Sequence, residues 1–422
     1  MPQDQELRTG DSTSLHTHAL KGSSMALLPV LVLNSGSSSI KFSVYEAGNG
    51  ERRRLYEGAV DGIATDQGKF WIKDADGKKL VDSTPALPNR SVAFKLVADA
   101  LNSKDFPAPK AIGHRMVCGG PTVQDNQLIT PALIDEMEKY TAFAPLHTPI
   151  AIYIMREALK LFPGTPNFAI LDTYFHRTMP QVVTHMPIPE EYSAMGVRRY
   201  GYHGISYESI LYQLQPNIPE KLIVAHLGNG ASISAIRNGE CLDTSMGLTP
   251  TGGIISGTRT GDIDPGILLF ILRNIAESSE SATAAADQLE TVVSKRAGLL
   301  GVSELSNDMR DLREAIKQGN AKARLAVDKF TWTIAKWIGS YVAELGGLEM
   351  MVFTGGIGEN DIDSRAEICA GLNALGIVLD PERNNVRGAA TISAKNSPVT
   401  VRVIPPAEDL IIVNHVVRLL GA

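Results

Sequence analysis

Three short stretches of this chain have the composition of a phosphate cradle. The first is Asn34-Ser-Gly-Ser-Ser-Ser39, with Lys41 two residues beyond it. Gly36 permits a tight turn, the serines offer hydroxyls and closely spaced N–H groups, and Lys41 adds a positive charge. The second is His226-Leu227-Gly228-Asn229-Gly230, where glycine and asparagine suit positive φ and His226 could donate to a phosphate or cap the strand before it. The third is Thr354-Gly-Gly356-Ile357-Gly358-Glu359-Asn360. No Gly-Lys-Ser/Thr follows it, so it is not a P-loop, and its spacing is not G-x-G-x-x-G. Each stretch could also be a plain turn between strands. The third stretch follows a buried apolar run, which favours a ligand because open α/β sheets bind at the carboxyl ends of their strands, and the first two occupy matching positions, which favours both facing one nucleotide.

Four charged or titratable side chains could act on a bound phosphate. Arg115 and Arg259 stay charged and can fork onto carboxylate or phosphate oxygens; a structural ion pair is the commoner fate of an isolated arginine. Asp172 follows the apolar run Phe168–Leu171, where it can orient a magnesium ion or a nucleophile, or cap a helix begun at Thr173. His203 sits in Tyr-Gly-Tyr-His-Gly; a lone histidine is more often a satisfied core residue than a catalyst.

The elements that must position these residues are legible in outline. Leu28–Leu33 is an apolar run and Ile40–Tyr45 alternates apolar and polar, which predicts strand, Gly/Ser turn, strand. Leu222–Ala225, the His226 turn, Ala231–Ile236 and the turn at 237–240 repeat that plan about 190 residues later. The repetition predicts two halves of similar topology. Asn167–Leu171 and Met350–Phe353 read as buried parallel strands. Between Ala323 and Leu345, Val327, Phe330, Ile334, Ile338, Val342 and Leu345 recur at spacings of three and four, which predicts a helix with a core-facing stripe. Met309–Lys317 also reads as helix, with Asp308 a possible cap. The fold class is α/β, with a mixed sheet in each half.

Composition narrows the partners. The chain has 422 residues, 44% of them apolar and 20% charged, which suits two soluble domains. A net charge of -6 gives no reason to expect nucleic acid or an anionic membrane. Cys118, Cys241 and Cys369 are too few and too scattered for a disulfide framework or a zinc site, and they fit a reducing cytoplasm. No apolar run approaches the roughly 20 residues of a membrane span. Residues 1–24 are polar, carry Asp4, Glu6 and Asp11, and lack the apolar core of a signal peptide. They read as a disordered extension before Met25, itself a candidate start.

Three glycine-rich turns after strands, without a Walker motif, resemble the superfamily of acetate and sugar kinases, heat-shock chaperone ATPases and actin. Within it the chain is similar to the acetate kinase family from about Leu31 to about Ile412. The matching pieces run in family order: Asn34 to Lys41, Gly113-His-Arg-Met-Val-Cys-Gly-Gly120, Ala144-Pro-Leu-His147 and Asp172-Thr-Tyr-Phe-His-Arg-Thr-Met-Pro180. There follow Arg199-Tyr-Gly-Tyr-His-Gly204, the His226 turn, Gly257-Thr-Arg-Thr-Gly-Asp-Ile-Asp-Pro265, Asp308-Met309-Arg310, the Gly356 turn and Pro405-Pro-Ala-Glu-Asp409.

That resemblance implies two similar actin-like (ribonuclease H-like) domains with the active-site cleft between them. It sets residues 29–178 with 405–422 as an N-terminal domain and 179–404 as a nucleotide-binding C-terminal domain, after an extension over 1–28. It implies reversible, direct in-line transfer of the ATP γ-phosphoryl group to acetate, giving acetyl phosphate and ADP. By position, Arg115 binds substrate, Arg259 and His203 stabilise the phosphoryl group in flight, and Asp172 is the catalytic carboxylate. A carboxylate with a pKa of about 4.3 is already ionised at neutral pH, so Asp172 is expected to work through magnesium and positioning rather than as a base. Asn34 and Glu408 match the positions associated with Mg2+, for which Mn2+ can substitute. Lys41, His226 to Gly230, Asp308 to Arg310 and Gly356 to Asn360 match the nucleotide segments. Val117, Leu146, Tyr202 and Pro250 match a small apolar substrate pocket. Tyr202 stands where Phe is usual, Cys118 where His is usual, Thr148 where Asn is usual, and Thr251-Gly-Gly-Ile254 replaces a commonly acidic segment. These departures leave propionate or butyrate open as substrates, with an actin-like ATPase as the reading from another class. A homodimer and hinge closure around the nucleotide are also implied. Deleting residues 1–24 is expected to leave turnover unchanged, as steady-state kinetics of the shortened chain would show.

Overall fold

The computed structural model describes residues 27–421. The extension and the candidate start at Met25 lie outside the described residues. Leu28 pairs with Ala47 and opens the first strand where the apolar run Leu28–Leu33 predicts it, so the strand takes in the last residue of the 1–28 extension.

Two sheets organise the chain. The first contains β1 (Leu28–Ser35), β2 (Ser39–Gly48), β3 (Glu51–Asp61), β4 (Lys69–Asp74), β5 (Lys79–Ser83), β6 (Ala111–Met116), β7 (Gln127–Leu128) and β8 (Asn167–Leu171), in the order β5-β4-β3-β2-β1-β6-β8-β7. The second contains β9 (Lys221–Leu227), β10 (Ala231–Arg237), β11 (Glu240–Thr244), β12 (Met350–Thr354), β13 (Ala390–Thr391) and β14 (Thr400–Val403), in the order β11-β10-β9-β12-β14-β13. Each has an antiparallel meander, β1–β2–β3 or β9–β10–β11, whose first strand then pairs in parallel with a later one, β6 or β12. The repeated sequence pattern is therefore a repeated topology.

The central parallel strands are buried on both faces, which explains their unbroken apolar runs. All five residues of β8 are buried, as are Val30–Leu33 in β1 and Leu222–Ala225 in β9. The first turn is shorter than its composition suggests. Asn34 pairs with Lys41 and Ser35 with Ile40, so only Gly36–Ser38 lie between the strands.

The periodic stripe forms a helix over Ala321–Leu345, capped by the Asn320 side chain and closed by Gly346 in the left-handed region. Val327, Phe330, Ile334, Ile338 and Leu345 join Ile223, Ile233, Met351 and Phe353 in the second sheet's core, while Val342 is only partly buried beside them. The final helix, Glu408–Leu419, returns to the first sheet and packs Ile412 and Val416 among Val30, Val32, Ala111 and Ile170. Gly113 lets it approach: a Cβ there would lie 2.5 Å from Ile412 Cγ2. The helix Gly204–Leu214 bridges the two sheets. Its Ile205 sits in the core of the first, whereas Tyr207, Ile210, Leu211 and Leu214 sit with Leu222, Val224 and Val352 of the second.

The third glycine stretch differs from the turn its composition suggests. After β12 the chain passes directly into a short helix, Gly355–Asn360. Gly355 alone takes a positive φ of 77°, and a Cβ there would lie 2.8 Å from the Leu227 carbonyl oxygen. The glycines thus press a helix start against the end of β9.

Candidate functional site

The carboxyl ends of β1, β6 and β8 from one sheet and of β9 from the other face a common cleft. Asn34, Ser35, Arg115, Val117, His147 and Asp172 line it from the first half, and Tyr202, His203, Asn229, Gly230, Pro250 and Arg259 from the second, around a cavity of about 210 Å³.

The floor is an ion pair. Arg115 lies at the end of β6, and Asp172 follows β8, its N–H donating to the Met116 carbonyl at 2.9 Å. Arg115 Nη2 donates to Asp172 Oδ2 at 2.8 Å and Nε reaches both carboxylate oxygens at 3.2 Å. Glu408 Oε2 stands 3.4 Å from Nη1. Burial works against the Arg115 charge, but Asp172 and Glu408 outweigh it and hold the guanidinium firmly protonated. For Asp172 burial pushes the carboxyl up and Arg115 opposes it. Asp172 caps no helix: the turn Tyr174–Thr178 that follows has Thr173 at its N-cap.

Arg259 is different. Its Nη1 donates to the Pro250 carbonyl at 3.2 Å, and among the described residues no carboxylate lies within ion-pair distance of it. Burial lowers its pKa from the ordinary arginine value, and Tyr202 opposes the shift.

His203 is held by backbone geometry. It takes a left-handed conformation, φ 59°, at the head of the helix Gly204–Leu214. Gly204 N–H donates to the Asp172 carbonyl at 2.9 Å, and a Cβ on Gly204 would lie 2.1 Å from that oxygen. Only glycine allows the helix head to seat on the strand end that carries Asp172. The His203 ring stacks on His226, with centroids 4.3 Å apart and planes at 22°. Burial first, then His226, Arg115 and Arg259, drives the His203 pKa well below 6.5, so the ring is neutral. Burial also lowers His226 and His147 to about 4.

The segments matched to nucleotide binding converge on the second sheet. Gly355 abuts Leu227, and Asn307 Nδ2 donates to Asn229 Oδ1 at 2.8 Å, bringing 307–310 beside the His226 turn. Asn229 and Gly230 open into the cleft, whereas the Leu227 and Met309 side chains point into the core. Ile357 packs on the same core, Gly358 is buried, and Gly356 is exposed. Glu359 is half-buried, its pKa raised by burial against the Gly355 N–H. Asn360 Nδ2 donates to the Gly356 carbonyl at 2.9 Å. Asp308 caps the helix Met309–Lys317 through the Arg310 N–H and pairs with the exposed Arg310 guanidinium at 2.5 Å, the capping alternative raised from sequence. Lys41 is exposed on β2 opposite Asn34, projecting from the same sheet face.

The apolar substrate residues divide. Val117, Tyr202 and Pro250 line the cleft, whereas Leu146 lines an adjoining cavity of about 310 Å³ with Leu268, Leu272 and Val293. His147, Pro250 and Arg259 form the wall between the two. The Tyr202 hydroxyl donates toward the carbonyls of Leu248 (2.5 Å) and Phe143 (3.1 Å), tying together loops from both halves.

Sequence reasoning missed His147, Ser206, Tyr207 and Ser232. Ser206 Oγ meets His226 Nδ1 at 2.8 Å, and Ser232 Oγ meets His203 Nδ1 at 2.9 Å and the Tyr207 hydroxyl at 2.5 Å. The available signal was spacing: His203, Ser206 and Tyr207 stand three and four apart at a helix head, on one face.

Asn34, Asp172 and Glu408 offer hard oxygen donors at one end of the cleft, and among the described residues no group of three or more His, Cys, Asp or Glu gathers for a metal. That donor set fits magnesium, which keeps waters and phosphate oxygens and takes only one or two carboxylates.

The chain matches the acetokinase family over residues 29–414. It is 39% identical over 401 residues to the acetate kinase of Geobacillus sp. strain WCH70, covering 92% of this chain and 98% of that protein. Among solved structures it resembles the acetate kinase of Porphyromonas gingivalis (35% identity, TM-score 0.80, 93% of this chain and 100% of that one). It also resembles a propionate kinase from Francisella tularensis subsp. tularensis SCHU S4 (34% identity, TM-score 0.84, 94% and 100%).

The buried histidines give a stability prediction. His114, His147, His176 and His226 each have a folded pKa of about 4 against an ordinary 6.5. Between those values the unfolded chain binds protons that the folded chain refuses, so stability falls as pH drops from about 6.5. Each such histidine contributes up to about 1.4 kcal/mol per pH unit. The urea midpoint is expected to be clearly lower at about pH 5 than at about pH 7.5.

Proposed function

The chain belongs to the acetokinase family, and we propose that it is an acetate kinase whose cleft divides the work as follows. A carboxylate oxygen attacks the γ-phosphorus of ATP, a P–O bond forms, and the bond to the β–γ bridging oxygen breaks to leave ADP. Both reactants are anions, so the cleft must neutralise them before they meet.

The observation that carries this reading is the pair of guanidiniums with unlike partners. Arg115 has one edge fixed by Asp172 and keeps further N–H groups for the incoming carboxylate. Arg259 has no carboxylate partner among the described residues and is free to meet the phosphoryl oxygens. Its Nη1 and His203 Nε2 converge on Gly230, where a Cβ would lie 3.3 and 3.4 Å from them. Two donors at one point suit a transition state whose charge spreads over the equatorial oxygens. Asp172 holds Arg115 with both its oxygens, and a carboxylate substrate has no proton to lose. Its role is positioning, not proton abstraction.

The His226–Gly230 turn, the segment 308–310 and the helix head at Gly356–Asn360 hold the nucleotide, with Lys41 reaching from the other sheet. Asn34 and Glu408, with Asp172 near, would hold Mg2+, and Mn2+ would accept the same oxygens. The ion would supply positive charge that offsets the phosphates. Val117, Tyr202 and Pro250 enclose the methyl group. The cavity beyond Pro250 and Leu146 favours some tolerance of propionate, since one methylene discriminates by only about 1–3 kcal/mol. The helix Pro265–Ala276 is strongly apolar yet has no buried residue, and Phe270 is 69% exposed. A second copy of the chain covering it makes a homodimer. The enzyme works in the cytoplasm, where its three buried, unpaired cysteines stay thiols.

A hydroxamate assay with ATP and each of acetate, propionate and butyrate tests the reading. Acetate is expected to give the highest kcat/KM, and no acyl hydroxamate from any of the three would sink it. His203→Ala is expected to lower kcat by about 10² to 10³.

A further inference from the structure

We propose that Tyr207 and Ser232 are positioning residues for phosphoryl transfer: a buried hydroxyl relay from Tyr207 through Ser232 fixes the His203 ring and keeps its proton on Nε2, the nitrogen that faces the cleft. The proposal rests on the reading of His203 as a donor to the transferred group.

Register brings the relay together. In the antiparallel pair of β9 and β10, Ser232 stands opposite His226, so their side chains share a sheet face. The helix Gly204–Leu214 starts over that face. His203 stacks on His226, and Tyr207, one turn along, reaches the same serine. Ser232 and Tyr207 are 0% exposed, so no water competes for their hydroxyls.

The direction of each hydrogen bond follows from counting protons. The Tyr207 phenol is fully buried, which pushes its pKa up and keeps its proton in place. Ser232 Oγ, at 2.5 Å, is the stronger of the two hydroxyl acceptors that proton meets, the other being Thr244. Ser232 has a single proton of its own, and at 2.9 Å His203 Nδ1 can accept it. With Tyr207 donating to Ser232, a proton on Nδ1 would make Ser232 Oγ accept from both neighbours and leave its own proton buried without a partner. Such an orphan costs about 1–3 kcal/mol. The favoured order is therefore Tyr207 to Ser232 to Nδ1, with the ring proton on Nε2. That nitrogen lies beside Gly230 and Arg259 Nη1, so the site presents one charged and one neutral donor side by side. The stack on His226 sets the plane of the ring, and the relay sets its rotation and tautomer.

The test uses the full chain with Ser232→Ala, Ser232→Thr and Tyr207→Phe, each also built on His203→Ala. Ser232→Ala is expected to lower kcat by about 10- to 100-fold while KM for ATP and acetate stays within about twofold. Tyr207→Phe gives a smaller loss, and Ser232→Thr restores most of the activity. On the His203→Ala background the Ser232→Ala loss is expected to vanish, because the relay then has nothing to orient. The 15N shifts of His203 should change from the Nε2–H tautomer to a mixture in Ser232→Ala. An equal loss in both backgrounds, or an unchanged tautomer in Ser232→Ala, overturns the relay. If Ser232→Ala does not fold, Tyr207→Phe is judged by the same two criteria. Full activity in His203→Ala alone would instead refute the role given to His203, and the tautomer measurement still decides the relay.

Discussion

The cleft is organised around one buried charge. Moving the Arg115 guanidinium out of water is costly by several kcal/mol unless a partner satisfies it. Asp172 supplies that partner with both oxygens, and Glu408 stands on the far side. Each comes from a different part of the fold: Arg115 from β6, Asp172 from the end of β8, Glu408 from the head of the final helix. The ion pair can form only if the two strands are in register and that helix seats on Gly113. His203 depends on it in turn, because Gly204 takes the carbonyl of Asp172 as its hydrogen-bond acceptor. Pairing, helix docking and histidine placement are thus consequences of solving one electrostatic problem.

The two halves meet this frame unequally. The first sheet contributes fixed charges and the second contributes glycines. A guanidinium and its carboxylate need rigid strand ends, whereas phosphate oxygens need backbone N–H groups at close range. Gly230 leaves backbone open beside Arg259 and His203, and Gly355 lets a helix start seat on the end of the adjacent strand. The helix Gly204–Leu214 carries cores of both sheets on its faces, so the histidine at its head keeps its place relative to both.

Much of this was legible in the sequence, for definite reasons. Asn167–Leu171 and Met350–Phe353 announced buried strands because parallel strands are covered on both faces. Phe330 and Ile334 announced a core helix because their spacing matches its period. The order of motifs around Arg115, Asp172, His203 and Arg259 announced the cleft. Three things stayed hidden. The helix Gly355–Asn360 was masked because glycine reads as turn whether or not a helix follows. Leu146 reads as a pocket residue, yet a loop path no local pattern encodes turns it into the neighbouring cavity. Ser232 is unremarkable in an alternating strand, and its importance appears only once a helix from elsewhere lays His203 and Tyr207 across it. Contacts between elements distant in sequence have no signature in either element alone.

The depressed histidines carry a consequence beyond folding. His147, His203 and His226 surround the two arginines, yet none of them takes a proton until the solution is far more acidic than any of their ordinary pKa values. The three rings therefore add no positive charge at the point of transfer as the surroundings acidify, and any drift there comes from Asp172, whose carboxyl burial raises. A cell that accumulates a weak acid would weaken the fold of this protein without drawing new charge from the histidines that surround the substrate.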